Sequence, residues 1–139
     1  METRPAVLVT GGARRIGAAI ARRFGQAGWH VVIHYGTSEA EARALAQQLP
    51  SAEILACNLA DTTAAQTMVD ALADQLPDWR VLVNCASVFA VDDAAKLNVE
   101  VNTQAMAINA RTPALMAQRF LARAKAAGGR RVIQVTDQK

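Results

Sequence analysis

The segment Thr10-Gly11-Gly12-Ala13-Arg14-Arg15-Ile16-Gly17 places glycines and arginines together directly after an apolar run, Ala6-Val7-Leu8-Val9, and at the start of a helical pattern. Glycines in such a turn let backbone N–H groups approach a pyrophosphate, and the helix N-terminus behind them adds about half a positive charge. A glycine motif by itself is weak evidence. Here the strand–turn–helix context and the two arginines, which a purely structural turn would not need, point to a dinucleotide site. Its candidate cofactor-binding residues are Gly11, Arg14, Arg15, Ile16 and Gly17.

Other chemistries fit less well. His30 and His34 lie in one apparent strand, where four residues span about 13 Å, too far apart to share a metal ion. No metal site is expected. Cys57 and Cys85, the only cysteines, are not spaced as a CxxC pair and read as small buried thiols of a reduced protein. The net charge is +3, spread over short pairs such as Arg22-Arg23 and Arg130-Arg131, and aromatic residues make up 4%. A nucleic-acid surface would need a longer basic stripe interleaved with aromatics, so no nucleic-acid partner is expected. No apolar run reaches the ~20 residues of a membrane span, and the N-terminus lacks the pattern of a secretory signal. The expectation is a cytoplasmic protein without a membrane partner. A composition of 52% hydrophobic and 19% charged residues is that of a globular chain. Its 139 residues suffice for one domain that buries about two-thirds of its unfolded surface.

The elements that must position the glycine turn alternate along the chain. Residues 6–10 form a first strand, and 15–27 a helix with Ile16, Ile20, Phe24 and Ala27 on one face, ended by Gly28. His30–Tyr35 is a second strand. Ser38–Leu49 is a helix, with Ser38 and Glu41 spaced as a capping box and Pro50 as its stop. A short strand at Glu53–Ala56 precedes a helix capped by Asp61 and running through Leu76, with Met68, Val69, Leu72 and Leu76 facing inward. Val81–Val83 is a fourth strand. A long helix follows from about Glu100 to Ala126, and Gly128-Gly129 turns the chain into a fifth strand, Val132–Thr136. Regular βαβ alternation gives an α/β fold, a Rossmann-type doubly wound parallel sheet in the order 3-2-1-4-5, with helices on both faces.

The end of the second strand bears on which dinucleotide is held. NAD-binding proteins place a carboxylate there to hold the ribose 2′-hydroxyl. Here the residues are His34-Tyr35-Gly36-Thr37-Ser38, with no acid before Glu39. Without an acid, nothing repels a 2′-phosphate, and the Thr37 and Ser38 hydroxyls with the Arg14 charge suit one. NADP(H) is therefore the expected cofactor.

Over residues 5–137 the chain resembles the short-chain dehydrogenase/reductases. Its glycine loop is similar to their TGxxxGxG pattern, and Asn84-Cys85-Ala86-Ser87 to their NNAG segment after the fourth strand. Asn58-Leu59-Ala60-Asp61 is similar to the segment that contacts adenine, with Asn58 where the family usually has aspartate. An amide oxygen still accepts a hydrogen bond from the adenine amino group. The resemblance implies that Asn58, Leu59, Asn84 and Ala86 line the cofactor.

Departures from the general pattern are shared with the pteridine reductases and the dihydromonapterin or dihydrofolate reductase-like relatives. Arg15 stands in place of the middle glycine, His34-Tyr35 ends the second strand, Ser87 replaces the last glycine of NNAG with Phe89 two residues on, and Asp137 occupies the position of the usual catalytic serine. The likeness implies that His34 and Tyr35 join the cofactor site. It also implies that Arg15 contacts phosphate and pterin, Ser87 contacts the pterin, Phe89 stacks on it, and Asp137 helps deliver a proton. Read singly, Phe89 also suits a core position and Asp137 an exposed turn; their conjunction with Arg15 and Ser87 carries the likeness.

Asn109 stands four residues before Pro113, which has no N–H for the Asn109 carbonyl and crowds it. A kink that frees this carbonyl is expected. The resemblance implies that the carbonyl holds a water in the catalytic proton relay. The family's Tyr-x-x-x-Lys pair belongs on a helix after the fifth strand, and the only tyrosine here is Tyr35. The expectation is that residues 1–139 form one NADP(H)-binding domain, the N-terminal part of a longer reductase that is homo-oligomeric when full length and acts on a small-molecule, pterin-type substrate. By itself the chain is expected to lack turnover. A non-catalytic NADP(H)-binding module and a short-chain reductase of another carbonyl compound remain as alternatives.

Overall fold

Successive residues of a strand point to opposite faces of a sheet, and in β1 (Ala6–Val9) both faces are buried. Ala6 and Leu8 enter one core, Val7 and Val9 the other. This is the signature of a parallel sheet covered on two sides. The structure, a computed structural model, describes residues 3–88 and 95–136.

Five parallel strands, β1, β2 (His30–Tyr35), β3 (Ala52–Ala56), β4 (Trp79–Asn84) and β5 (Arg131–Gln134), lie in the order β3-β2-β1-β4-β5, as the alternation implies. α1 (Arg15–Gln26) and α2 (Glu39–Gln48) supply the core that receives Val7, Val31, Ile33 and Val83. α3 (Thr62–Gln75) and α5 (Thr112–Arg123) cover the other face, where Met68, Val69 and Leu72 meet Met116 and Phe120 over Leu8, Val32 and Leu82. Each of these larger side chains contributes about 1.5–3 kcal/mol by leaving water. Trp79 is fully buried at the start of β4, stacks edge-on against Phe120 at 4.7 Å, and donates its indole N–H to the Val81 carbonyl at 2.9 Å.

Local sequence signals account for several element ends. Gly28 follows α1 with φ +91°, a left-handed position that relieves the last turn of the helix. Asp61 caps α3, its Oδ1 accepting the Ala64 amide at 3.0 Å. Four expectations need correction. Ser38 occupies the N-cap of α2 but makes no side-chain cap bond; with φ −87° and ψ 56° its backbone is not in the extended geometry that aims the hydroxyl at the following amides. The face of α1 is also different. Ile16 is 61% exposed, and the helix meets the sheet through Gly17, Ala18, Ala21 and Gly25, while Ile20 and Phe24 flank the contact. Small residues let the helix approach more closely than an isoleucine stripe would allow. The thiols of Cys57 and Cys85 are half-buried rather than buried.

The last correction concerns the long helix, which ends at Arg123 and is built in three parts. α4 (Val99–Met106) leads into a π turn at Ala107–Arg111 and then α5. The widened turn immediately before Pro113 is how the helix accommodates a residue that cannot donate to the preceding turn. α4 is capped by Asn98, whose Oδ1 accepts the Val101 amide at 3.1 Å, and none of its residues is buried. Among the described residues, no helix is long and apolar enough to cross a membrane.

Candidate active site

The C-terminal ends of β1, β2 and β4 converge where a parallel doubly wound sheet characteristically offers a crevice. The turn after β1 fills the space so tightly that its glycines are needed. Gly11 has φ +60°, and a Cβ there would lie 3.0 Å from the Ala86 Cα. A Cβ on Gly12 would lie 2.9 Å from the Val9 carbonyl oxygen, and one on Gly17 would overlap the Gly11 carbonyl. Gly17 thus lets the first turn of α1 close over the loop.

Thr10 joins the two halves of the crevice. It is 1% exposed, and its Oγ1 accepts the amides of Cys85 and Ala86 at 2.9 and 3.1 Å. The segment after β4 is thereby clamped against the end of β1. In the sequence Thr10 is only the first letter of a motif; the signal for its role is a polar β-branched residue closing an otherwise apolar strand. Thr112 does a similar service, donating its hydroxyl to the Leu59 carbonyl at 2.7 Å and tying α5 to the segment after β3.

His34 ties the glycine turn to β2 and β3. Its Nδ1 accepts the Gly11 amide at 3.0 Å, and its Nε2–H donates to the Cys57 carbonyl at 2.8 Å. The ring is 2% exposed, and burial pushes its pKa below the ordinary imidazole value, keeping it neutral. With both nitrogens used inside the protein, His34 acts on the loop rather than facing a ligand. Tyr35 is half-buried beside it, Thr37 is exposed and Ser38 half-buried.

Arg14, Arg15 and Ile16 are exposed at the N-terminus of α1. Arg15 has φ 52°, the only positive value at a non-glycine residue among those described, at the place where the loop pattern has glycine. No side chain caps α1 and no acid lies in its first turn. Among the described residues neither guanidinium has an ion-pair partner, so helix end and arginines together present unneutralised positive charge.

On the other wall, Asn84 is buried. Its Nδ2 donates to the Pro113 carbonyl at 3.3 Å, while its Oδ1 has no partner among the described residues. Ala86 is half-buried and Ser87 exposed. Asn109, on the π turn, holds the next residue through both amide atoms: Oδ1 accepts the Val88 N–H at 2.9 Å and Nδ2 donates to the Val88 carbonyl at 2.8 Å. Asn58 is exposed, its Oδ1 accepting the Ala60 amide at 3.0 Å in a local turn, and Leu59 is buried. Phe89 and Asp137 lie outside the described residues. Among the described residues no three metal-ligating side chains cluster.

The turn therefore sets Gly11 against Ala86, with His34 bonded beneath, and leads through Arg14 into Arg15, Ile16 and Gly17 at the start of α1. A close-packed glycine cradle and, among the described residues, a positive helix end without a protein anion and an unsatisfied Asn84 oxygen fit a dinucleotide lying across the ends of β1, β2 and β4.

The chain matches the short chain dehydrogenase family over residues 5–138. It is 33% identical over 135 residues to D-threitol dehydrogenase of Mycolicibacterium smegmatis, covering 94% of this chain and 52% of that protein. Among solved structures it is similar to FolM alternative dihydrofolate reductase 1 from Brucella canis complexed with NADP, with a TM-score of 0.87 and 29% identity over 96% of this chain and 56% of that one. A mutant short-chain dehydrogenase/reductase of Serratia marcescens superposes with a TM-score of 0.89 and 27% identity, over 98% of this chain and 56% of that one. The chain spans about half the length of the curated relatives it matches. With the family's glycine turn, strand order and matched extent all present, the chain belongs to the short-chain dehydrogenase family.

Proposed function

We propose that these residues form the nucleotide-binding part of an NADPH-dependent short-chain reductase. The observation that carries this reading is the exposed Arg14 and Arg15, without an ion-pair partner among the described residues, beside a glycine cradle at a β2 exit with no acid before Glu39. In this reading the backbone of Gly11 to Gly17 holds the pyrophosphate, Arg14 with Thr37 and Ser38 holds the 2′-phosphate, and Asn58, Leu59, Asn84, Ala86 and Tyr35 line the nucleotide. Once bound, the nicotinamide supplies the hydride; the protein supplies position and charge. Asn109, in this reading a member of the catalytic proton relay, also holds the Val88 backbone through both of its amide atoms. The NADP complexes of FolM proteins from Brucella canis and Brucella suis support the same choice of cofactor.

The substrate class we propose is a pterin, with Arg15, Ser87 and Phe89 contacting it and Asp137 assisting protonation. The FolM likeness supports it, together with an arginine held at a left-handed position beside the turn. A second reading, oxidoreduction of a polyol or its carbonyl form, is favoured by the relatives named D-threitol dehydrogenase and sorbitol dehydrogenase. For the full-length protein we propose a homo-oligomer, in keeping with the exposed Val99, Val101 and Met106 of α4. The decisive experiment titrates NADPH and NADH against wild type and Arg14→Ala. Selective loss of NADPH affinity is expected, by roughly ten-fold or more for a charge-assisted phosphate contact. An equal loss for both nucleotides removes the 2′-phosphate assignment. Dihydropterin and polyol turnover by the full-length protein then separates the two substrate readings.

A further inference from the structure

The resemblance implies that His34 joins the cofactor site, and in the structure both of its ring nitrogens are bonded within the protein. The Gly11 amide sits at the left-handed corner of the glycine turn and donates to His34 Nδ1 at 3.0 Å. The opposite nitrogen is fixed by the Cys57 carbonyl at 2.8 Å, which requires a proton on Nε2. These two bonds specify a single state of the ring: neutral, with Nδ1 bare. An imidazolium carries N–H on both nitrogens, so protonation would set a donor against the Gly11 donor and put a charge into a site that is 2% exposed.

We propose that His34 is a positioning residue, a latch that holds the glycine turn in its nucleotide-binding shape only while the imidazole is neutral, so that acidification releases the turn and weakens nucleotide binding. This rests on the nucleotide reading above for its functional consequence, but the latch itself does not. The neighbouring charged and titratable groups leave the ring to itself. The residue after β3 brings the Cys57 thiol, whose pKa burial pushes up and the Asp61 charge pushes up further. Tyr35 adjoins it on β2. α3 brings Asp61, engaged in its helix cap, and Asp70, paired with Arg119 and Arg123 of α5; Arg111 stands before α5, and Arg14 and Arg15 flank the turn. Among the described residues none of these bonds to the imidazole. Burial opposes its protonation and lowers its pKa, with the Cys57 carbonyl acting weakly the other way. The transition therefore falls below the ordinary imidazole value of about 6.5.

The test has a ligand-free arm and a binding arm. In the free protein, ¹⁵N shifts of the His34 ring and hydrogen exchange of the Gly11 amide are followed from about pH 8 to about pH 5, spanning the histidine range. The expected result is the Nε2–H tautomer at neutral pH, with Gly11 protection lost as the ring protonates. NADP⁺ is then titrated against wild type, His34→Asn and His34→Leu. Asparagine offers Oδ1 in place of Nδ1 and does not titrate. Its affinity relative to wild type should rise on acidification, by about ten-fold between pH 8 and the pH at which the wild-type ring is charged, the effect of an amide left facing a donor. The ratio of the two proteins cancels the titration of the ligand's own 2′-phosphate. His34→Leu should bind about ten-fold more weakly throughout; if it does not fold, the asparagine ratio decides alone. An Nδ1–H tautomer, or a ratio that does not change with pH, overturns the proposal. Failure of NADP⁺ to bind at any pH while Gly11 stays protected overturns the nucleotide reading and the binding half of the proposal, and leaves the latch supported.

Discussion

Replacing Thr10 by valine keeps the shape of the side chain and removes one oxygen. That oxygen accepts two backbone amides, Cys85 at 2.9 Å and Ala86 at 3.1 Å, from a residue only 1% exposed. Its own donation to the Val83 carbonyl, at 3.4 Å, is long enough to discount. An amide left without an acceptor costs about 1–3 kcal/mol when buried. Cys85 and Ala86 are half-buried. Water can partly replace the lost acceptor, so the lower end of that range applies to each, and Thr10→Val should destabilise the chain by about 2 kcal/mol. Thr10→Ser keeps the oxygen and loses a methyl group, worth about 0.8 kcal/mol. Urea unfolding of the three proteins measures the difference, with the midpoint moving and the slope constant. Hydrogen exchange should show Cys85 and Ala86 losing protection in the valine variant alone. A valine variant within about 0.5 kcal/mol of wild type, or a serine variant less stable than the valine one, would refute the clamp.

Gly17→Ala should cost about 2 kcal/mol or more, because the new methyl overlaps the Gly11 carbonyl and neither backbone can easily move. Gly36→Ala, where nothing lies within 4 Å and φ is not positive, should be neutral or stabilising by about 0.5 kcal/mol; thermal unfolding of the pair checks both. The bond from His30, 2.7 Å away, holds the Glu53 carboxyl below the usual carboxylate range. A depressed carboxylate stabilises the fold above its unfolded pKa and ceases to as pH falls through the folded value. The stability advantage of wild type over Glu53→Gln should thus shrink as the pH falls below the ordinary carboxylate value of about 4.3, and denaturant titrations across the acid range should find it.

Much of the architecture was legible because its signals are local. Strands such as Val31–Ile33 are apolar on both faces, as only a doubly covered parallel sheet requires, and Asp61 and Gly28 mark helix ends by their own backbone chemistry. Ser38 misled because a capping box also needs a backbone conformation that residue type does not dictate. Ile16 misled because the amphipathic stripe of α1 was read from large residues, whereas the close approach to the sheet selects small ones.

The amino-acid order by itself determined the glycine turn with its arginines and the acid-free end of β2, which depend on residue types within one short segment, and the strand–helix alternation from which the crossover rule implies the order 3-2-1-4-5. Tertiary structure alone decided what joins those segments. Thr10 reaches amides 75 and 76 residues away, and His34 reaches 23 residues in each direction to Gly11 and Cys57. Asn109 meets Val88 across 21 residues, through a π turn that Pro113 foreshadows only as an irregularity. Hydrogen bonds of that range depend on the register of neighbouring strands and the approach of helices to the sheet. No local pattern encodes those distances, so the residues that hold the site together appear only once the chain has folded.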